Sequence, residues 1–303
     1  MKDKGMKSGL LCLLIIAFFG LSGTAFPLGG SAKEFQYLLR DLDKRFAEYG
    51  WTDLKTRGIP WEYYRTTRLK RPLFFAIFGD PSKDCTLLFS AVHGDEIPTT
   101  YVLFKLADYL KENPDKYKGR CIVIAPLLNP DGFFARPSQR VNSNGIDLNR
   151  NFPTKDWEKD AFRYWEIKTH RNKRYYPGKK PGSENETRFQ IALINRFKPH
   201  KILSLHSPLG FYDFDGPSFD LDHFEKWLEK ISSETKYPMK KFGVFPGSLG
   251  NYAGLKRNIF VVTLELPSSN PSMAEQFYDK FNSAMTKFVA LDVTGTYRFK
   301  VSD

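Results

Sequence analysis

The stretch Leu87-Leu88-Phe89-Ser90-Ala91-Val92-His93-Gly94-Asp95-Glu96 decides how the fold is interpreted. Its apolar run predicts a buried strand that ends at His93, and Glu96 follows three residues later. Such runs, closed by Gly and acidic residues, are typical of central strands in α/β sheets. Ligand sites in these sheets lie at the carboxyl ends of the strands. Because imidazole and carboxylate both bind zinc, the pair is a hypothesis for half of a catalytic zinc site, with a third ligand elsewhere.

Length and charge set broad bounds on the class of protein. A chain of 303 residues holds one large α/β domain or two small ones. The formal charge of +12 favours anionic partners, although a diffuse basic surface explains it equally well. The sequence contains no helix-turn-helix, zinc-finger or RNA-recognition motif, so we do not expect a nucleic-acid partner.

The first residues have the layout of a secretory signal peptide. Three lysines among the first seven residues precede an apolar run, Leu10–Leu21, which small residues follow. We expect a signal peptide over residues 1–25, with cleavage near residue 32 as the alternative. The run is too short for a comfortable membrane span, so an exported, periplasmic or secreted protein without a stable span after processing is predicted. An uncleaved N-terminal anchor is the other interpretation.

Two cysteines, Cys85 and Cys121, lie just before or at the start of predicted strands in the exported part. They are compatible with one disulfide in an oxidising compartment. Buried free thiols are equally compatible, because both residues flank apolar strands. The sequence leaves the two alternatives open.

Strands and helices alternate along almost the whole chain. Predicted strands cover Trp61–Tyr64, Leu73–Phe78, Leu87–His93, Cys121–Leu128, Lys201–His206 and Ile259–Leu266. Predicted helices cover Glu34–Tyr49, Thr100–Leu110, Glu186–Phe197, Asp220–Thr235 and Ser272–Leu291. The alternation predicts an α/β fold: a single domain, residues 33–295, with a mixed, largely parallel central sheet flanked by helices.

Three segments between these elements are less regular. Asn129–Gly132 has the composition of a turn. Arg140–Pro153 is polar and without periodicity, as in a solvated loop or a loop that lines a site. Trp157–Lys180 is basic and aromatic, which is typical of a flexible surface excursion; the alternative is a rim that attracts an acidic substrate.

Further candidate site residues follow other predicted strands. His206 ends one strand, and with His93 and Glu96 it completes the two-His, one-carboxylate pattern of catalytic zinc sites. Glu265 lies in a very apolar strand, where a bare charge is costly, so a role as general base beside the metal is a reasonable hypothesis. Arg140 and Arg150 are cations suited to an oxyanion or to a substrate carboxylate.

Several motifs, in this order, make the sequence similar to the zinc carboxypeptidase family, the carboxypeptidase A-like or funnelin superfamily. They are His93–Glu96, Asn129–Gly132, Arg140–Pro153, Pro181–Thr187, Ser204–Leu209, Pro246–Gly250 and Thr263–Pro267. Within the family they resemble most the bacterial murein peptide amidase branch. The resemblance covers roughly Leu87 to Pro267 and implies a zinc metallopeptidase with one Zn²⁺ per chain.

The resemblance also implies a role for each matching residue. Zinc would be bound by His93, Glu96 and His206, with Glu265 as the general base and acid. Arg140 would stabilise the oxyanion, and Asn149 with Arg150 would bind the terminal carboxylate of the substrate. Asp147 would hold the first zinc histidine in one tautomer. Tyr252 lies near the place of a mobile tyrosine in the family, but its local pattern differs.

For the murein branch the implied substrate is a peptidoglycan stem peptide, cut between γ-D-glutamate and a diamino acid. Such a peptide is acidic, in agreement with a basic chain that could also associate with peptidoglycan. The export signal departs from the branch, whose members recycle murein peptides in the cytoplasm. The alternatives are a general zinc carboxypeptidase and a catalytically inactive wall-binding protein; a deacylase of the aspartoacylase type agrees less well with Asn149–Pro153.

Overall fold

A seven-stranded sheet forms the centre of the computed structural model, which describes residues 32–54, 56–216 and 221–293. The strand order is β1-β2-β4-β3-β5-β7-β6. The strands are β1 (Trp61–Thr66), β2 (Pro72–Gly79), β3 (Cys85–Phe89), β4 (Cys121–Ala125), β5 (Lys201–His206), β6 (Phe211–Gly216) and β7 (Phe260–Glu265). The four central strands β4, β3, β5 and β7 are parallel, whereas β1, β2 and β6 at the edges pair antiparallel. The predicted mixed sheet with a parallel centre is thus confirmed.

The predicted signal peptide, residues 1–25, and the alternative of an uncleaved anchor lie outside the described residues. In the part of the chain that the structure describes, we find no helix with the length and apolar character that crossing a membrane requires.

Helices cover both faces of the sheet because the central strands are apolar on both sides. They are α1 (Ala32–Glu48), α2 (Pro98–Glu112), α3 (Pro130–Phe134), α4 (Phe162–Lys168), α5 (Asn185–Phe197), α6 (Leu221–Thr235) and α7 (Ala274–Ala290). Adjacent residues of β3 enter different cores: Leu88 packs with residues of α2, α6 and α7, and Leu87 with residues of α5. Helix α1 packs through its apolar stripe against β2 and α2, and its predicted bounds are close to those observed.

Strand β3 ends at Phe89, so the prediction that it continues to His93 is wrong. Ser90, Ala91 and Val92 remain buried, but Ala91 has a positive φ of 49° and the chain turns there. Leu128 N and Asn129 N donate to the carbonyls of Ser90 and Ala91 in place of strand pairing. The apolar run therefore continues into a buried loop, which apolar character alone does not distinguish from a strand.

Two segments contain more regular structure than their composition suggests. Asn129–Gly132 is the start of helix α3 and not a simple turn, because Asn129 caps it by accepting a hydrogen bond from Gly132 N at 2.9 Å. Trp157–Lys180 contains a π-helical turn, helix α4 and a 3₁₀ turn at Lys173–Tyr175. The Asn151 side chain donates to Pro177 O at 2.9 Å and to Lys180 O at 3.0 Å, which attaches this segment to the polar loop.

Cys85 and Cys121 form a disulfide, which decides between the two alternatives that the sequence left open. The two residues are direct partners in the parallel pairing of β3 and β4, and their Cα atoms are 4.4 Å apart. The disulfide therefore joins the amino ends of two central strands, at the edge opposite to the site described next.

Candidate metal centre and active site

Three buried side chains, His93, Glu96 and His206, meet where β3 and β5 end. Glu96 Oε1 lies 2.6 Å from His93 Nδ1, and its Oε2 lies 3.0 Å from His206 Nδ1. The two Nδ1 atoms are 3.3 Å apart, and one ligand atom of each residue lies within 4.8 Å of the others. Each residue is at most 5% exposed. The three predicted ligands are therefore brought together as a group that can hold a metal ion.

The loop that carries His93 and Glu96 requires a glycine between them. A Cβ atom on Gly94 would lie 2.3 Å from Gly132 C and from Phe133 N at the start of α3. Only a residue without a side chain allows this close approach of the two backbones. Gly94 N also faces Arg140 O at 3.4 Å, so the metal loop and the polar loop are in contact.

The donor set suits zinc because each atom directed at the centre offers a lone pair. His93 Nε2 lies 3.1 Å from Asp147 Oδ1. A carboxylate only accepts hydrogen bonds, so this nitrogen carries the proton and Nδ1 presents its lone pair to Glu96 and His206. Two imidazole nitrogens and a carboxylate around one point would repel each other without a cation, and they match the ligands of catalytic zinc sites.

Asp147, which is fully buried, connects the metal group to the polar loop. Its Oδ2 accepts from Arg140 Nε at 3.0 Å, and its Oδ1 accepts from Asn149 N at 3.0 Å. Burial alone would raise the pKa of Asp147, but Arg140 and His93 beside it hold that pKa well below its usual range. The carboxylate therefore stays charged and keeps both His93 and Arg140 in place.

Asn149 and Arg150 form a short 3₁₀ turn together with Leu148, directly after Asp147. Asn149 Oδ1 accepts from Leu249 N at 2.8 Å. The Arg150 guanidinium stacks on Phe245 at 4.2 Å from the ring centre, and one of its terminal nitrogens donates to Asn149 O at 2.7 Å. Its Nε is buried and has no partner in the described part of the chain. Arg150 thus keeps donor capacity for an added carboxylate.

Glu265 is the last residue of β7 and pairs directly with His206 across the sheet. Leu209 N donates to its Oε2 at 3.4 Å. Burial raises the pKa of Glu265 above its ordinary value, although His206 opposes this. Tyr252, in contrast, is only 3% exposed and packs against Phe152, so it does not line the site.

One cavity of about 260 Å³ joins these groups. Among its lining residues are His93, Glu96, Arg140, Asn149, Arg150, His206 and Glu265, and Asp147 lies behind His93. Asp213 and Asp215 of β6 also line it, and neither was among the predicted site residues. The one available signal was two acids in alternate positions shortly after His206, but β6 itself was not predicted because it lacks a continuous apolar run.

The parallel centre of the sheet and the buried His-Glu-His group at its carboxyl edge are typical of a metal-dependent hydrolase with an α/β fold. A family model described as zinc carboxypeptidase matches residues 70–297. Since the match covers most of the chain, the protein belongs to the zinc carboxypeptidase family. It is a hydrolase of the metallopeptidase class, and its metal cofactor is zinc.

Two relatives are similar over most of their length. Murein peptide amidase A of Escherichia coli (strain K12) is 28% identical over 232 residues, which cover 75% of this chain and 88% of that protein. The protein of the same name from Vibrio campbellii is 30% identical over 226 residues, 72% of this chain and 84% of the relative.

Solved structures share the fold at lower identity. Murein-tripeptide amidase MpaA from Escherichia coli O157 superposes with a TM-score of 0.56 at 24% identity, covering 80% of this chain and 98% of the other. Bovine thrombin-activatable fibrinolysis inhibitor gives a TM-score of 0.62 at 17% identity, with 86% and 96% covered.

Proposed function

We propose that this protein is an exported zinc amidase that cleaves peptidoglycan stem peptides between γ-D-glutamate and a diamino acid. The observation that carries the proposal is the position of Arg150 in the same small cavity as the His-Glu-His group and Glu265. A buried guanidinium with a free donor accommodates a terminal carboxylate, so the scissile bond would lie close to a free carboxyl end. The name of two relatives, murein peptide amidase, supports the choice of substrate.

In this proposal His93, Glu96 and His206 bind zinc, and Asp147 orients the His93 ring. A zinc ion bound there supplies Lewis acidity, which polarises a carbonyl group and makes water more acidic. The surrounding loops hold the three side chains in place before substrate arrives.

The remaining roles belong to groups that line the cavity. Arg150, assisted by Asn149, binds the carboxylate of the diamino acid and places the scissile bond. The Glu265 carboxylate takes a proton from the attacking water and later delivers it to the leaving amine. Arg140 donates to the carbonyl oxygen as negative charge develops there.

A basic segment beside the site supports an acidic substrate. Arg174 and Lys173, with Arg140, line a second cavity of about 720 Å³ that adjoins the first through Arg140 and Arg174. The aromatic rings of Trp165 and Tyr176 form part of its wall. Stem peptides carry several carboxylates, which the positive potential of this segment would attract.

Export is supported by two features. The N-terminal sequence has the pattern of a signal peptide. The disulfide between Cys85 and Cys121 is typical of proteins that fold in an oxidising compartment. We therefore place the activity outside the cytoplasm, where it would trim wall peptides.

The test is to incubate the purified zinc-loaded protein with L-Ala-γ-D-Glu-meso-diaminopimelate, with its α-linked isomer and with plain peptides. Mass spectrometry should detect free diaminopimelate from the γ-linked peptide. The Glu265→Gln variant serves as the control for contaminating activity. Release of C-terminal residues from plain peptides alone would contradict the murein substrate and favour a general carboxypeptidase.

A further inference from the structure

The 3₁₀ turn Lys173–Tyr175 brings two side chains of the basic segment to the catalytic cavity. Arg174 lines both this cavity and the larger cavity beside it, and Tyr175 lines the catalytic cavity. The reaction described above uses neither side chain in a contact with the substrate. Both lie where the two cavities adjoin, next to Arg140, which also lines both.

Three contacts hold this turn against the rest of the site. Asn172 Oδ1 accepts from Arg174 N at 3.0 Å and so caps the turn. Asp147 N donates to Tyr176 O at 2.8 Å, which joins the turn to the polar loop. The Arg174 guanidinium forms an ion pair with Asp95 of the metal loop. The turn is therefore fixed relative to the metal group before a substrate arrives.

Both side chains keep hydrogen-bond donors without a partner in the described part of the chain. One terminal nitrogen of Arg174 pairs with Asp95, but a guanidinium has five donors, and this side chain is 45% exposed. The Tyr175 ring packs against Arg140, with the central guanidinium carbon 5.1 Å from the ring centre, and its hydroxyl makes no hydrogen bond to a described residue. A guanidinium and a phenol side by side suit the two oxygens of a carboxylate.

The order of the arginines indicates which part of the substrate reaches the turn. Arg140 lines both cavities, whereas Arg150 lines only the catalytic one of the two. If Arg150 binds the terminal carboxylate and Arg140 the scissile carbonyl, the acyl part of the substrate lies beyond Arg140, towards Arg174.

A γ-linked glutamate has a free carboxylate at a matching distance on this acyl side. Its α-carboxylate carbon is four carbon–carbon bonds from the scissile carbonyl carbon, roughly 5 Å in an extended chain. This span is close to the 5.1 Å between the Arg140 guanidinium and the Tyr175 ring. A carbonyl group held by Arg140 therefore leaves the α-carboxylate within reach of the turn.

We propose that Arg174 and Tyr175 form an anion subsite that binds the free α-carboxylate of the glutamate on the acyl side of the scissile bond. Asp95 keeps the guanidinium in place, and the Tyr175 hydroxyl donates to the second oxygen. A stem peptide with an amidated α-carboxylate would present N–H groups to two donors, and it is disfavoured. This inference rests on the proposed function for the linkage that is cut, but it assigns a different property, the discrimination between free and amidated stem peptides.

The test compares L-Ala-γ-D-Glu-meso-diaminopimelate with its D-isoglutamine analogue, in which an amide replaces the α-carboxylate. We expect the wild-type protein to favour the acid in kcat/KM on the order of 10-fold, since a hydrogen-bonded charge is lost at a partly exposed site. Arg174→Gln should bring the ratio close to one. Tyr175→Phe keeps the ring against Arg140 and should lower the ratio about threefold.

Arg171→Gln is the matched control and should keep the preference. Arg171 belongs to the same segment and is exposed and paired with Glu166, but it is not among the lining residues of either cavity. Zinc content and thermal unfolding of each variant exclude a folding defect. A preference that is unchanged in Arg174→Gln would overturn the subsite.

A binding measurement separates the subsite from the proposed linkage, because it requires no turnover. Calorimetry compares the acyl fragments L-Ala-D-Glu and L-Ala-D-isoglutamine on the zinc-loaded protein. Equal cleavage of both tripeptides and equal binding of both fragments would overturn the anion subsite while leaving the proposed linkage intact. Cleavage of plain peptides alone, with tighter binding of L-Ala-D-Glu that Arg174→Gln abolishes, would support the subsite and contradict the proposed function.

Discussion

Asp147 holds two of the site's side chains, His93 and Arg140, in position. Its two oxygens face His93 Nε2 and Arg140 Nε, so one buried carboxylate orients a proposed metal ligand and a proposed oxyanion donor together. The two partners compensate the charge of this carboxylate, which is fully buried, and so offset part of its desolvation cost. We therefore expect metal affinity and oxyanion binding to be coupled through Asp147, which is fully buried behind the cavity.

Replacing Glu265 by Gln separates catalysis from metal binding. Glutamine keeps the shape of the side chain but cannot take a proton from water, so kcat should fall on the order of 10²- to 10⁴-fold. Zinc content should stay at one ion per chain, because Glu265 is not among the three proposed ligands. Turnover on the stem peptide and metal analysis measure the two effects. Glu275→Gln, on helix α7, is the control, and near-normal turnover of the Glu265 variant would contradict the assignment.

At the level of single residues, most of the site can be predicted from the sequence, because several of its polar side chains lie next to apolar runs. His93, His206 and Glu265 follow or end apolar runs, where a polar side chain is unusual enough to be noticed. Asp147 and Asn149 lie in a polar loop where nothing marks them, and only the resemblance to a family assigned them roles. Asp213 and Asp215 were missed, because two acids in an unrecognised edge strand look like surface residues.

Among the loops, the one that contains Gly247 controls where Arg150 lies. Phe152 N donates to Gly247 O at 2.9 Å, and Thr154 Oγ1 accepts from Gly247 N at 3.0 Å. A Cβ atom on Gly247 would lie 2.2 Å from Arg150 O and 2.7 Å from Trp157 Cδ1. Two segments distant in sequence thus fit together only when this position has no side chain.

Gly247→Ala should therefore displace Arg150 and raise KM for the stem peptide at least about fivefold, since a buried clash with backbone costs about 1 kcal/mol or more. Gly119→Ala is the matched control. Gly119 has a φ of +73°, close to the +74° of Gly247, but a Cβ on Gly119 meets no atom within 4 Å. The control variant should lose only the conformational cost of about 1–2 kcal/mol in stability and keep its KM. Equal effects of the two substitutions on KM would contradict the role of the close approach.

Helix α5 begins with a buried acid, Glu186, that should make stability depend on pH. The side chain is 1% exposed, its Oε1 has no partner among the described residues, and Asp131 and Glu184 lie nearby. Burial, reinforced by these two acids, raises the pKa of Glu186 to about 7. The folded chain thus binds this proton more tightly than the unfolded chain, whose glutamates titrate near 4.5. As the pH rises through this interval, the fold loses stability.

Glu186→Gln should remove this dependence. The variant should gain stability over the wild-type protein between pH 5 and pH 8, by at most about 3 kcal/mol, because each unit of pKa shift corresponds to about 1.4 kcal/mol. Urea unfolding at both pH values measures the difference. The same substitution at the exposed Glu158 controls for the loss of one negative charge. An equal free-energy difference between variant and wild type at pH 5 and pH 8 would argue against a shifted pKa.

Element types were predicted better than element ends. The helices Glu34–Tyr49 and Glu186–Phe197 agree with α1 and α5 within two residues, because their apolar stripes have a clear period. The end of β3 was misplaced because the buried loop after Phe89 is as apolar as the strand. Strand β6 was missed because an edge strand with two acids in its alternation lacks the run that identified the central strands.

For the molecule as a whole, the disulfide and the site lie at opposite ends of the same strands. The disulfide joins residues 36 positions apart at the start of β3 and β4. The metal loop follows the end of β3. The disulfide constrains the unfolded chain, so it should stabilise the fold without altering the geometry of the site.

The double variant Cys85→Ala, Cys121→Ala should lose about 2–4 kcal/mol of unfolding free energy, the usual contribution of a disulfide that closes a loop of this size. Its kcat should stay close to the wild-type value at a temperature where both proteins are folded. Chemical denaturation and turnover measure the two quantities. A peptide map of the unreduced protein should contain the linked cysteine peptides; two free thiols in protein recovered from the exported fraction would contradict the pairing.

The proposed ligands are far apart along the chain, and this separation determines at which stage of folding the protein can bind zinc tightly. His93 and Glu96 are three residues apart, but His206 is 113 residues from His93 and reaches it only through the pairing of β3 with β5. An unfolded chain therefore offers at most a weak bidentate pair, and tight capture of zinc has to wait until the sheet has assembled. A chain exported unfolded would then acquire its metal at its destination, so zinc supply outside the cytoplasm, and not inside it, would decide how much of the enzyme becomes active.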